Sequence, residues 1–305
     1  SWFRAAAVTT VLALAGGALL TGIYSRKKEI AVMKQSSATT VMPGGNKALL
    51  TLADGSTVML DSTGNQVIRQ GAVAIHQEGG RLQYAAASHA AVIGYNVLTT
   101  PRGGQFQIAL PDGTLVWLNA GSYLRYPTAF TGAVRSVELK GEGYFEVAPN
   151  AATPFEVKVN DMRVKVLGTH FNITAYQEEK VIKTTLLEGK VSVNKGRSTR
   201  LLRPGEQSAL AVNDSVFSIS RPNPDEVLAW KNGLFRFRGE NIVNIMQQLA
   251  RWYDIEPVYE GNMTMKYFSG TISRKAAITD VLKMLELTED IHFKIAGRKV
   301  IVSSL

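Results

Sequence analysis

Two nine-residue runs do most to limit what this chain can become. Leu52-Ala53-Asp54-Gly55-Ser56-Thr57-Val58-Met59-Leu60 and Leu110-Pro111-Asp112-Gly113-Thr114-Leu115-Val116-Trp117-Leu118 match at a constant offset of 58. Each sets an Asp-Gly pair between two apolar stretches. Gly tolerates positive φ and Asp bonds its own backbone, so such a pair favours a tight hairpin. One pair is a weak signal, whereas two in matched context point to one β building block used twice.

The surroundings extend the pattern. Residues 106–148 hold four short apolar runs separated by Pro-Asp-Gly, Asn-Ala-Gly-Ser, Thr-Gly and Gly-Glu-Gly. Leu115, Val116, Trp117 and Leu118 are apolar on both faces, which predicts a strand covered on both sides. Alternation continues through Val137/Leu139, Phe155/Val157/Val159, Phe171/Ile173 and Val191/Val193. Turn signals fall every 8–12 residues or so, the spacing of a sandwich, barrel or β-roll. This all-β region is expected to cover residues 48–219, with a linker over 220–229 that carries Ser220-Arg221-Pro222-Asn223-Pro224-Asp225.

The period then changes. Ile242, Ile245, Met246, Leu249 and Trp252 follow the i, i+3, i+4, i+7 rule of a helix face. Ile278, Val281, Leu282 and Leu285 repeat the first four 36 residues later. Apolar strand patterns flank both helices. Residues 230–305 therefore read as a small α+β domain of duplicated β-α-β units.

Ahead of the β region, residues 5–24 run without a charge. At about 1.5 Å rise per residue a helix of that length spans roughly 30 Å, a hydrocarbon core. A secretory signal has an apolar run of about 7–15 residues and an Ala-x-Ala-like cleavage site. This run is longer and offers only Thr21-Gly22, which favours a membrane span (with flanks, residues 1–28) over a cleaved signal. Local charge counting, Arg26-Lys27-Lys28 after it against Arg4 before, puts the C-terminal side in the cytoplasm, but rests on four residues before the span. Residues 29–47 read as a linker. The whole is expected to be mainly β: a transmembrane helix, an all-β domain, then the α+β domain.

Composition narrows the function. There is no cysteine, hence no disulfide or thiolate metal site. The net charge of +9 falls to +5 without Arg4, Arg26, Lys27 and Lys28, and the remainder is scattered rather than gathered into a basic stripe, which argues against nucleic acid as a partner. His76, His89, His170 and His292 have no metal-ligand spacing, and no phosphate loop or nucleophile elbow is present. No metal or cofactor is expected.

Three weaker possibilities remain. Glu138, Glu142 and Glu146 contain the makings of a glycosidase pair, which needs carboxylates about 5–9.5 Å apart. Glu142 lies in a Gly-Glu-Gly turn pattern, however, and solvated strand carboxylates are the plainer reading. Trp117, Tyr123, Tyr126, Phe130, Tyr144 and Phe145 are candidates for a sugar platform, although strand aromatics more commonly form core. That is the basis of an alternative function, a membrane-anchored periplasmic carbohydrate-binding β-protein. Gly168-Thr169 is the one dipeptide with covalent chemistry in reach: the Thr hydroxyl attacks the preceding carbonyl, and the resulting ester hydrolyses. Taken alone, the pair is a turn entering the next strand.

The motifs in series resemble the Bacteroidota branch of the FecR-type transmembrane anti-sigma factors. They are Leu98-Thr-Thr-Pro-Arg-Gly-Gly104, Val116-Trp-Leu-Asn-Ala120, Leu124-Arg-Tyr-Pro127, Gly141-Glu-Gly-Tyr-Phe-Glu-Val147, Val166-Leu-Gly-Thr-His-Phe-Asn172, Trp230-Lys-Asn-Gly-Leu-Phe235 and Leu249-Ala-Arg-Trp-Tyr-Asp254. The resemblance implies a single pass through the bacterial inner membrane, with residues after about 25 in the periplasm. It implies a C-terminal domain similar to the secretin/TonB short N-terminal fold. That domain, residues 230–305, would receive the signalling domain of a TonB-dependent outer-membrane receptor. An extracytoplasmic-function (ECF) sigma factor would be held by a cytoplasmic segment that this sequence does not contain and released after cleavage by periplasmic and intramembrane proteases. Self-cleavage in some members maps onto Gly168 and Thr169. The Arg26-Lys27-Lys28 run departs from the pattern, lying on the implied periplasmic side.

Overall fold

The computed structural model describes residues 41–84, 93–263, 265–287 and 291–304. The apolar run of residues 5–24 and His89 lie outside the described residues. Among those described, no helix is long and apolar enough to cross a membrane.

Among the described residues, eighteen strands come first. They are β1 (Gly45–Thr51), β2 (Thr57–Asp61), β3 (Asn65–Gln70), β4 (Val73–Glu78), β5 (Arg81–Tyr84), β6 (Tyr95–Thr100), β7 (Gly104–Ala109), β8 (Leu115–Leu118) and β9 (Ser122–Pro127). After these come β10 (Arg135–Glu146), β11 (Phe155–Val159), β12 (Met162–Val166), β13 (His170–Ala175), β14 (Val181–Glu188), β15 (Val191–Lys195), β16 (Ser198–Leu202), β17 (Gln207–Ala211) and β18 (Ser218–Ser220). The first strand thus begins inside the stretch read as linker.

The strands form two layers. One runs β2-β1-β6-β9-β10-β11-β12-β15-β16. The other runs β3-β4-β5-β7-β8-β10-β13-β14-β17-β18. Strand β10 belongs to both. Its first half pairs with β9 and β11 and its second half with β8 and β13, with Gly141 (φ 85°) at the change. A Cβ at Gly141 would sit 2.5 Å from the Ser122 hydroxyl and 2.9 Å from the Gly121 carbonyl, so only glycine fits. The inner faces close on one core, where Phe145 stacks on Phe171 at 5.0 Å and meets Phe155 of the opposite layer at 6.3 Å.

The offset of 58 is physically real. Leu52 N–H bonds the Ser56 carbonyl at 2.8 Å, and Leu110 N–H bonds that of Thr114 at 2.8 Å. Gly55 and Gly113 have φ of 85° and 84°, and Asp54 and Asp112 each accept from the backbone N–H two residues on. The β1–β2 hairpin lies in one layer and β7–β8 in the other. Around residue 45 the two repeats meet, as β1 and β7 pair in parallel through Gly45–Gly104 and Asn46–Gln105.

The C-terminal part has a short helix α1 (Pro224–Val227), then β19 (Leu234–Asn241), α2 (Ile242–Tyr253), β20 (Glu256–Glu260), β21 (Tyr267–Ser273), α3 (Ile278–Glu286), β22 (Ile291–Ala296) and β23 (Lys299–Ser304). β19 pairs with β21, and β20, β23 and β22 form a second small sheet in that order. The Asn241 side chain caps α2 by accepting from Val243 N–H, and Asp254 ends it in the left-handed region. All eight apolar residues matched at the offset of 36 are buried in a second core. The described residues from Val41 onward form one compact unit, and Ala120 of the sandwich is part of that second core.

Candidate functional site

The outer face of the second layer, at β8, β10 and β13, is covered by the C-terminal part. The covering contacts are polar. Asn119 stands at their centre: its Nδ2 donates to Glu142 at 2.8 Å, and its Oδ1 accepts from Arg274 Nη2 at 2.8 Å. Arg274 also donates to the Trp230 carbonyl at 2.9 Å and to Gln105 at 3.3 Å, and its guanidinium lies 3.6 Å over the Trp252 ring. It is 3% exposed. Burial lowers its pKa to about 10, with Tyr176 and Glu142 pulling the other way.

Glu142 is held from several sides. Its carboxylate accepts from Asn172 and Thr174, both at 3.1 Å, as well as from Asn119, and its backbone N–H donates to the Ser122 hydroxyl. The Gly-Glu-Gly pattern is therefore not a turn. It lies inside β10, where alternation turns Gly141 and Gly143 inward and Glu142 outward, and the outward side is an interface rather than solvent.

A second pair of contacts lies beside it. Arg251 of α2 reaches Glu178 at 3.0 Å and Glu179 at 2.9 Å, and rests 3.8 Å over the Tyr176 ring. The Tyr176 hydroxyl donates to the Ala120 carbonyl. Burial raises the Glu179 pKa and outweighs the opposing pull of Arg251. On the other flank, Trp230 Nε1 donates to Asn172 at 3.3 Å, and Lys231 covers Trp117 and Tyr144 at 4.5 and 4.7 Å.

The Pro-Arg-Gly-Gly loop completes the junction. Arg102 donates to the Ile255 carbonyl at 2.6 Å and pairs with Asp254 at 3.3 Å. Gly103, at φ 70°, donates to the Arg251 carbonyl at 2.7 Å. At the centre the sandwich thus supplies carboxylates (Glu142, Glu178, Glu179) and the C-terminal part guanidiniums (Arg274, Arg251), with Asn119 bridging Arg274 to Glu142, while the Arg102–Asp254 pair runs the other way. Such a network fixes one relative placement, because a partly satisfied version leaves buried charges without partners. Between the two parts it leaves a polar cleft of about 250 Å³ walled by Glu142, Asn172, Thr174, Lys183, Arg251 and Arg274.

The other sequence candidates are not brought together. Glu138 and Glu142 are four residues apart along a strand, about 13 Å at roughly 3.3 Å per residue, beyond the span of a glycosidase pair. Glu138 pairs with Lys140, and Glu146 lies 3.8 Å from Lys231. Tyr126, Phe145 and Tyr144 are buried, and Lys231 occupies the face of Trp117, so these aromatics form no open platform. Among the described residues no group of His, Asp and Glu could hold a metal ion. At Gly168 a Cβ would meet Pro149 at 2.8 Å, and the buried Thr169 hydroxyl donates to the Lys190 carbonyl at 3.0 Å.

Two family models match the chain, FecR protein over residues 96–192 and FecR, C-terminal, over residues 234–302. The two ranges hold most of the two sides of the junction, with Trp230 and Lys231 lying between them. A crystal structure at 1.65 Å resolution of a protein from Parabacteroides distasonis ATCC 8503, assigned as an anti-sigma factor, is 31% identical with a TM-score of 0.64, covering 68% of this chain and 99% of that one. A second crystal structure of an anti-sigma factor so assigned from that organism, at 2.50 Å, is 30% identical with the same TM-score, covering 70% and 100%. The chain belongs to the FecR-type anti-sigma factors. No curated protein matches it. In this FecR-type protein the junction carries most of the motifs on which the resemblance rests: Pro101 to Gly104, Asn119-Ala120, Glu142, Asn172, Trp230 and Arg251 to Asp254. Sequence reading missed it, because its members are far apart along the chain.

Proposed function

We propose that this anti-sigma factor is a single-pass inner-membrane protein that relays a signal from a TonB-dependent outer-membrane receptor. Residues 5–24 would form the span, and the all-β domain (48–219) and the C-terminal domain (230–305) would lie in the periplasm. The receptor's signalling domain would dock on the C-terminal domain, and stepwise proteolysis near the membrane would release an ECF sigma factor held by the cytoplasmic segment.

One observation carries the docking step. Among the described residues, β20 and β22 each pair only with β23, so the small sheet has two edges with unused backbone donors and acceptors. Val258, Tyr259 and Ile295 on these strands are exposed. Such an edge is a template for strand addition by a partner. The test is a titration of the full chain, in detergent micelles, with the signalling domain of the receptor encoded beside it. Saturable binding is expected, and its absence would sink the proposal.

The same reading includes self-cleavage between Gly168 and Thr169. The Thr169 oxygen would displace the amide nitrogen at the Gly168 carbonyl, and water would then open the ester. Mass spectrometry of the purified protein should find a break before Thr169 that Thr169→Ala abolishes. An intact chain in the unmutated protein would remove this step.

A further inference from the structure

The chain enters its described part lying against the C-terminal domain. Val41 packs on the second core, the one built from α2, α3 and their strands. Gly44 lies against the Trp252 indole so closely that a Cβ would fall 2.7 Å from its six-membered ring. Trp252 cannot give way: it is 4% exposed, its Nε1 donates to the Arg274 carbonyl at 2.8 Å, and the Arg274 guanidinium lies over its ring. Next, Gly45 N–H donates to the Gly103 carbonyl at 3.0 Å, and Gly103 N–H in turn donates to Arg251 at the end of α2. A Cβ at Gly104 would strike the Lys47 carbonyl at 2.6 Å. Residues 41–45 are thus a strap held between the end of α2 and the Pro101-Arg102-Gly103-Gly104 loop.

We propose that the C-terminal domain clamps the chain's own strap, residues 41–45, and that this stretch opens to proteases only when the domain leaves its seat on the sandwich. The seat and the clamp share parts. Arg251, Trp252 and Arg274 hold the sandwich through Glu178, Glu179, Asn119 and Gly103, and the same Trp252 holds Gly44. A displacement that breaks the junction therefore frees the strap. The strap is part of the stretch, residues 29–47, read as the linker between span and sandwich. This deepens the relay reading above, which it needs only for what opens the clamp in the cell.

Two neighbouring glycines make the test. A Cβ at Gly44 meets Trp252, whereas one at Gly45 meets nothing within 4 Å, and neither residue has positive φ. Full-length protein in micelles is digested with thermolysin, which cuts ahead of apolar residues, and cuts ahead of Val41 and Met42 are timed by mass spectrometry. Met42 is already exposed, so cutting there reads how firmly the backbone is held. Proteolysis of a locally opened segment follows its opening equilibrium, and Gly44→Ala is expected to speed these cuts about tenfold. Gly45→Ala should match the unmutated protein. Hydrogen exchange at the Gly45 amide, at the start of β1, provides a second reading, and should quicken in Gly44→Ala while amides in the other strands of the sandwich do not. Equal rates in the two variants, or a rise shared by sites throughout the sandwich, would overturn the clamp. No receptor enters this experiment, so failure of receptor binding would remove the relay and leave the clamp standing.

Discussion

Replacing Asn119 by Ala should loosen the junction without touching either core. The side chain bridges the Glu142 and Arg274 charges, donating to the first and accepting from the second, both at 2.8 Å. Hydrogen bonds to charged groups are worth about 1.5–3 kcal/mol each, so losing both costs about 3–6 kcal/mol. Glu142 lines the cleft, where water recovers part of its loss, which puts the net cost near the lower end, about 3 kcal/mol. At about 2–4 °C per kcal/mol for a unit of this size, the melting temperature by calorimetry should fall by about 6–12 °C. The loss should be non-additive with Arg274→Met, since either change breaks the same bridge. An Asn119→Ala protein melting within a degree of the unmutated one, with effects that simply add, would refute the reasoning.

Other predictions concern single features. Asp112 and Asp54 hold equivalent turns, but only Asp112 meets a buried arginine, Arg135 at 2.6 Å. Asp112→Ala should cost about 3–5 kcal/mol in denaturant unfolding, as breaking a buried pair does, and Asp54→Ala far less; equal losses would contradict this. Gly141→Ala should cost about 3 kcal/mol or more, from left-handed strain of about 1–3 kcal/mol plus the clash with Ser122, and a normal melt would speak against the two-layer path of β10. Glu179 is more easily protonated in the folded chain than its ordinary 4.5, chiefly through burial. In the window from 4.5 upward to its folded value, the folded chain keeps a proton the unfolded chain has lost, so stability falls as pH rises through it. Glu179→Gln should flatten that fall in melting temperature against pH, and an unchanged slope would count against it.

Much of the fold is written locally. The Asp-Gly hairpins follow from two residues each, and the helix faces from the spacing of Ile242, Ile245, Met246 and Leu249 and its repeat. Even the covering of β8 on both sides was legible, because Val116 and Leu118 face the core while Trp117 lies under Lys231. The junction was not legible. Arg274 and Asn119 are 155 residues apart, and nothing near either residue marks the other. Gly-Glu-Gly is turn chemistry in most settings, which points to a solvated Glu142. Here the first glycine permits a change of layer, and the second leaves room for the Leu139 and Phe145 side chains, 3.0–3.2 Å from where its Cβ would be. Trp252 reads as one more apolar residue on a helix face, and only the fold places Gly44 against it.

The most direct measurement is hydrogen exchange on the full chain with and without the receptor's signalling domain. If the signal enters at the small sheet and passes through the junction to the strap, β20 or β22 gains protection while the Gly45 and Gly103 amides lose it. Bound signalling domain with unchanged exchange at Gly45 and Gly103 would contradict that route.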